Sequence, residues 1–468
     1  MNVFRIPGLT LSFRASTESA ERVKLDSLGR GPYYFPSMRT DEVFGISPKV
    51  RPASYVDRGQ LDEQIARHLD RTTHIALRGE SKCGKSWLRQ QAIPDGIVVQ
   101  CRLSKSVADM YSDALSQLDI KFVVSSQTGG AIKGSVTAKG EFGMKLLAKA
   151  GIEVTTQIEG NKSQTSRPAG HDIEDLRFVA DILKASTKRL VIEDFHYMTM
   201  EERRKFAFDL KALWDYGLFV VIVGVWSQSN MLLHLNPDLS GRVHELPIEW
   251  SKDDLGRVLK KGGAALHLGF TPRMIDRLTD MSFGNVGLLQ KLTLMTLDEA
   301  GIKEGVYFQQ DFDSPAQVES AALDYAEQLN PLYQQFARNV SSGIRSRKNS
   351  TGIYAHAMAA IMQASDDQLV NGLNVTSIFA VANARQPRIQ RGNLKSVLEK
   401  IEELQIDSDG RGLVLAYNSA NEEITAVDRQ LLLYRKYCTV KWPWEDLIAE
   451  AGEDTLGPAS AAPMQTTV

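Results

Sequence analysis

Eight residues carry the first chemical signal. Gly79-Glu80-Ser81-Lys82-Cys83-Gly84-Lys85-Ser86, inside the stretch RGESKCGKSW, match G-x-x-x-x-G-K-[ST] at every fixed position. Glycines let a backbone curl so that its N–H groups point inward around phosphate oxygens. A helix that starts near Lys85 adds the partial positive charge of its amino terminus. In this pattern the lysine, Lys85, reaches the β- and γ-phosphates, and the hydroxyl of Ser86 ligates Mg²⁺. ATP and Mg²⁺ are the ligands such a loop predicts. Cys83 reads as a small filler within it.

A phosphate loop predicts a second strand that ends in acids. KRLVIEDFHYM supplies one: Leu190, Val191 and Ile192 make an apolar strand, and Glu193 and Asp194 follow at its carboxyl end. Ligands of parallel sheets bind at that end. One carboxylate would hold Mg²⁺, directly or through water, and the other would orient the attacking water. Enzymes with this loop mostly place Asp before Glu; here the order is reversed. By position Glu193 is the metal-side residue and Asp194 the base. His196 beside them reads as a packing residue or as one standing behind the catalytic groups. A further strand, LFVVIVGV, leads to Trp226, Ser227 and Gln228, where either a polar side chain senses the γ-phosphate or an ordinary loop begins. Arg242 ends the turn NPDLSG ahead of VHELPI. There it serves a neighbouring subunit's nucleotide, or it is a surface or capping arginine.

Positioning these groups takes a parallel sheet. THIALR, ahead of the loop, is a short apolar run of the kind buried in such sheets, and SWLRQQAI behind it continues as a helix. Strand, glycine loop and helix are the context the motif requires. The fold class expected is α/β, a P-loop NTPase parallel-sheet core. The chain has 468 residues, 43% of them hydrophobic, enough for more than one core. A formal net charge of −2 gives no global bias toward nucleic acid or membrane, so any nucleic-acid surface must be local. Cys83, Cys101 and Cys438 make neither a disulfide framework nor a zinc site. The longest apolar run, LFVVIVGVW, falls far short of the roughly 20 residues that span a bilayer, and the amino terminus lacks the apolar core of a signal peptide. A soluble cytoplasmic protein is expected, with no membrane partner.

These pieces, in this order, resemble the AAA+ branch of the phosphate-loop ATPases. Within it they look like the ATPases related to the origin-recognition and Cdc6 initiators, with their STAND-like and transposon-associated bacterial relatives. YVDRGQLDEQIARHL is similar to the element those ATPases place before the loop, where an arginine-bearing turn, Arg58 here, leads into a helix that lies over the base. IVVQCRLSKSVADMYSDALSQLDI looks like their second strand and the long helix after it. GRVHELPI matches the region that often carries their arginine finger, which makes Arg242 the matching residue. The likeness spans about Asp41 to Ile302. It implies ATP binding and hydrolysis, a homo-oligomer formed with ATP, and a helical lid. The sequence departs from the pattern in SFGNVGLLQKL, which has Gly287 and Leu288 where a lid arginine would fall.

Along the chain, residues 1–40 read as an extension that packs on the core or orders on a partner, and 41–250 as the ATPase core. Within the core, the Gly and Val/Thr spacing over about 125–170 predicts a β-hairpin or mobile loop rather than a helix. That insertion contacts a partner or DNA, or is simply solvated. Residues 251–310 form a helical lid opened by the Ser251 cap and an acidic first turn. In 311–450, IYAHAMAAIMQAS, VTSIFAVANA and QRGNLKSVLEKIEELQI read as helices and RGLVLAYNSANEEITAVD as a hairpin, the winged-helix arrangement. Residues 451–468 are small and polar, as in disordered tails.

Arg388, Arg391 and Lys395 open the third of those helices, the end that meets DNA in helix-turn-helix domains. Arg345, Arg347 and Lys348 form a second basic cluster. Glu422 and Glu423 on the wing oppose phosphate contact, so the domain either binds DNA or packs against protein. Two functions stay open. One is an initiator-like AAA+ ATPase acting on DNA. The other is a STAND-type signalling switch, of the kind used in defence against phage, in which ATP drives oligomerisation.

Overall fold

Five short apolar runs build one sheet. In the computed structural model, which describes residues 38–103, 105–125, 133–138, 140–150, 156–159, 162–168, 175–226, 228–343, 351–405 and 412–453, they are β1 (His74–Arg78), β2 (Ile97–Gln100), β3 (Leu190–Glu193), β4 (Val220–Gly224) and β5 (Val243–Pro247). Nearly all of the amino-terminal extension, Ser227, the Arg345, Arg347 and Lys348 cluster and most of the tail lie outside the described residues. The strands pair in the order β2-β3-β4-β1-β5, every pair parallel.

The central strands are apolar on both faces, as a doubly covered parallel sheet demands. Ile192 and Ile222 face a core with Phe195, Phe206 and Leu210. Val191 and Val221 face another with Ile75, Leu77 and Leu88, the last on the loop helix Lys85–Ala92. Because all five strands run the same way, their carboxyl ends meet at one edge. Gly79, Asp194, Val225 and Ile248 leave the sheet there.

The insertion differs from its sequence pattern. Between β2 and β3 a second sheet forms, antiparallel, in the order Ile120–Ser125, Lys133–Ala138, Lys162–Pro168, Thr156–Glu159. A helix, Gly140–Lys149, interrupts it, where the glycine spacing had pointed away from one. Leu146 and Leu147 are buried in the main core and hold that helix down, so apolar anchoring outweighed glycine content.

The stretch expected as a lid follows as helices Lys252–Ala265, Pro272–Met281 and Val286–Glu299. Ser251 and Asp254 cap the first reciprocally, and Thr271 and Asn285 cap the others. A long helix that the sequence reading did not single out, Pro315–Ser342, packs on Val286–Glu299 and on Gln430–Tyr437. It joins the lid and the C-terminal region in one core.

In the C-terminal region, Ile353–Gln363 and Val375–Arg385 form as helices. The stretch expected as a third helix divides into Arg391–Leu398 and Ile401–Gln405. The break aims Gln405 at the hairpin, where its amide donates to Leu415 O at 2.8 Å and accepts from Val414 N at 2.9 Å. Strands Leu415–Asn418 and Glu423–Ala426 make that hairpin, and Leu373–Asn374 pairs beside it. Leu413, Ala416 and Val427 of the hairpin pack on Val225 at the end of β4, which brings this region onto the carboxyl edge of the sheet.

Candidate functional site

β1 ends at Arg78 and the loop helix begins at Lys85. Between them Lys82 (φ 61°) and Gly84 (φ 89°) take left-handed conformations, and Gly84 caps the helix. Gly79 has no room for a side chain: a Cβ there would stand 2.6 Å from Cys83 Sγ and 3.0 Å from Ile248 O. Cys83 is itself buried and fills the underside of the loop. The loop borders a cavity of about 290 Å³ walled by Ser81 to Trp87, by Gly45, Ile46 and Ser47, by Asp194, His196, Tyr197 and Val225, and by Val286, Gly287 and Gln290. Lys85 is buried. Its ammonium donates to Gly79 O at 3.0 Å and to Glu80 O.

The two acids part company. Asp194 (φ 57°) breaks the strand alternation, and its carboxylate lines the cavity, accepting from Gln100 Nε2 at 3.2 Å. Burial pushes its carboxyl above the ordinary range, and the Gln100 bond and Lys85 oppose that. Glu193 stays on the face of Val191, toward the loop helix. There it is buried in an ion pair with Arg89 at 2.9 Å, and it does not line the cavity. His196 does line it. Its Nδ1 accepts the Val225 N–H at 3.3 Å, and burial, with Lys85 and Arg203, pushes the ring down to about 3, so it is neutral. Trp226 is turned away, its indole donating to Glu245 at 3.2 Å.

Two other parts of the chain hold the loop. From 251–310, Asn285 Nδ2 donates to Ser81 O (2.7 Å) and Gly287 N to Lys82 O (3.0 Å), and Trp250, just before that stretch, donates its Nε1–H to Cys83 O (2.8 Å). Gly287 is required for this: a Cβ would stand 2.6 Å from that of Lys82. Arg58 stacks on Trp250 at 4.1 Å, with both Nη atoms 3.9 Å from where a Gly84 Cβ would be. Its Nε and Nη2 are buried without a partner among the described residues. From the C-terminal hairpin, Val427 O accepts the Ser81 N–H at 2.9 Å, and Arg429, buried, ion-pairs with Glu80 and donates to Val370 O at 3.1 Å. Asn285, Gly287, Trp250, Val427 and Arg429 carried no motif. The departure GNVG was the one trace of them in the sequence.

The remaining residues lie elsewhere. Arg242 O accepts the His74 N–H at 2.8 Å, at the start of β1. Arg242 therefore stands at the opposite edge of the sheet from its own loop, a strand length of roughly 16 Å away. Its guanidinium lies over Trp214 at 4.8 Å and donates to Asp238 O. Arg391 and Lys395 both pair with Glu422, at 3.2 and 2.6 Å, and Arg388 donates to Gln386 at 3.3 Å.

No protein-family model and no curated protein matches the chain. Solved structures do. A Walker-type ATPase of Pyrococcus abyssi, 13% identical, superposes with a TM-score of 0.51 over 84% of this chain and 99% of its own. The fold is that of a P-loop ATPase. The Orc1 protein of Aeropyrum pernix, solved in complex with DNA, is 10% identical over 84% of this chain and 94% of its own, at a TM-score of 0.35. A STAND protein of Pyrococcus horikoshii with a tetratricopeptide sensor is 11% identical over 89% of this chain and 46% of its own, also at 0.35. Scores that low add nothing to the assignment of the P-loop fold. No described helix is long and apolar enough to cross a membrane.

The Arg89–Glu193 pair ties the loop helix to β3 from behind. Arg89→Ala leaves a buried carboxylate alone and is expected to cost about 3–5 kcal/mol. Arg89→Met with Glu193→Leu should recover most of that. Denaturant midpoints measure both, and a double variant no more stable than Arg89→Ala would show that the pair is not coupled.

Proposed function

We propose that this protein binds ATP with Mg²⁺, hydrolyses it, and acts as a switch whose C-terminal region is held on the phosphate loop. The observation that carries this is the pair of contacts from Val427 to the Ser81 amide and from Arg429 to Glu80. Loop amides are the groups that receive phosphate oxygens. One of them is bonded to the hairpin, so loading the loop and docking the region are coupled. Glu80 Oε2 and Arg429 Nε are buried without partners among the described residues, which leaves the docked contact incompletely satisfied and lowers the cost of its release.

The residues present fit a nucleoside triphosphate. Gly84 shapes the cradle, Lys85 and Ser86 face the cavity, and Arg58 keeps buried, unpartnered donors beside Gly84. The backbone of Gly79 to Ser86 would hold the phosphates, and Lys85 would exchange the Gly79 and Glu80 carbonyls for phosphate oxygens. Mg²⁺, when bound, neutralises charge on the phosphates. Ser86 would hold it, because Glu193, read from sequence as the metal-side acid, is engaged by Arg89. Asp194 is the carboxylate at the cavity and would orient the attacking water. Arg242 lies too far from its own loop to serve it, and this reading assigns it to a neighbour's nucleotide in an ATP-dependent oligomer. The reading of a DNA-associated initiator has less support, since Arg391 and Lys395 are both engaged by Glu422.

Lys85→Ala should abolish ATP binding in calorimetry, and unchanged affinity would sink the nucleotide assignment. Asp194→Asn should bind ATP within about threefold of wild type and lose on the order of a hundredfold in turnover; equal turnover removes Asp194 from that role. Because the docked hairpin occupies the Ser81 amide, Arg429→Ala should tighten nucleotide binding, slow its release about tenfold and raise hydrogen exchange in the hairpin, as expected for loss of a charged hydrogen bond. Release at the wild-type rate would mean docking and nucleotide are uncoupled. Arg242→Ala protein mixed with Lys85→Ala protein should regain turnover that neither has alone; a mixture that stays inactive rules out action across subunits.

A further inference from the structure

The carboxyl end of β4 brings no polar side chain to the cavity among the described residues. Val225 is apolar, and the Trp226 indole is held by Glu245. A polar group nevertheless stands at that point, contributed by the turn after β3. His196 is 7% exposed and walls the same cavity as Lys85, Ser86 and Asp194. The Val225 N–H donates to its Nδ1 at 3.3 Å, which in a neutral ring puts the proton on Nε2. No hydrogen bond among the described residues uses Nε2, and the ring walls the cavity.

The ring cannot easily turn elsewhere. Its backbone carbonyl accepts from Arg203, Tyr197 lies against it with ring centroids 4.2 Å apart, and β4 crosses close behind. A Cβ on Gly224 would come within 3.5 Å of His196 N and 2.4 Å of the Trp226 ring. The Trp226 ring is what requires glycine at 224, and the histidine backbone lies in ordinary contact with the end of β4, where the Val225 amide meets the ring.

We propose that His196 Nε2–H is the donor by which this site tells a nucleoside triphosphate from a diphosphate. The assignment rests on the ATP reading of the cavity. Lys85, in this loop pattern, reaches the β- and γ-phosphates, and His196 borders the space beside Lys85 and Asp194. Because its neutral N–H donates and does not compete with Lys85 as a cation, it adds a directed bond to the terminal phosphate without repelling the loop lysine. A backbone amide on one strand orients a side chain from the next, so the contact also ties β3 to β4 when the triphosphate is bound.

The test measures dissociation constants of a non-hydrolysable ATP analogue and of ADP, each with Mg²⁺, on the full chain. His196→Phe keeps the ring volume and removes the donor. It should weaken the analogue by about tenfold or more, the effect of one lost donor to a charged oxygen, and leave ADP within about twofold. His196→Gln, which restores an N–H near Nε2, should recover part of the loss. Equal weakening of both nucleotides, or no change in either, overturns the assignment and leaves His196 a packing residue. Wild-type protein that binds neither nucleotide overturns the ATP reading, and this assignment with it. Wild-type protein that binds both, with an unaltered ratio in His196→Phe, overturns this assignment alone.

Discussion

A phosphate loop is a strip of backbone whose N–H groups must stay available to an anion and whose carbonyls must go elsewhere. The rest of this structure depends on where those carbonyls go. Gly79 O and Glu80 O accept from the Lys85 ammonium, Ser81 O from Asn285, Lys82 O from the Gly287 amide, Cys83 O from Trp250, and Gly84 O from Leu88 N within the loop helix. Every carbonyl from Gly79 to Gly84 is satisfied, as buried backbone requires. The donors come from the loop itself, from Trp250 and from the stretch 251–310. The helix Val286–Glu299 and the residues before it thus act as backbone partners of the loop, and glycine is required at 287 because a Cβ there would stand 2.6 Å from that of Lys82.

Charge is handled by the same economy of partners. Burying ions is costly unless they are paired. Arg89 and Glu193 answer each other behind the loop, and Arg429 and Glu80 do so above it. Arg58 has no such counter-ion among the described residues. Burial pushes its guanidinium below the ordinary arginine range, and two of its nitrogens have no hydrogen-bond partner among the described residues. A cation kept in that state beside Gly84 fits a site awaiting an anion.

The hairpin that touches the loop is braced from its other side. Asp428 accepts from Tyr333 at 2.9 Å and from Gln430 at 3.0 Å, and Tyr434 donates to Asn330 at 2.6 Å. Tyr333 and Asn330 lie on the long helix Pro315–Ser342, which also packs on the lid. Lid, long helix and hairpin form a continuous packed body with the loop between its two ends. A displacement of the loop at one contact is therefore felt at the other, since close-packed interiors transmit strain.

The sequence by itself determined the loop, the apolar strands and the lid caps. Each is a local rule: fixed glycines and a lysine at set spacing, runs of Val, Ile and Leu, Ser251 three residues before Asp254. It also brought Glu193, Asp194 and His196 to the right edge, because parallel strands share their carboxyl ends. It did not determine which acid faces the cavity. The left-handed turn at Asp194 and the waiting partner Arg89 decided that, and neither is visible in the order of two letters. The helix Gly140–Lys149, the division at Ile401 and the grip of Val427 and Arg429 on the loop were likewise settled in three dimensions. In each case the deciding partner is a buried surface or hydrogen-bonding group contributed by another element of the fold. Spacing along a chain records which face a residue is on, and only the folded structure supplies what that face meets.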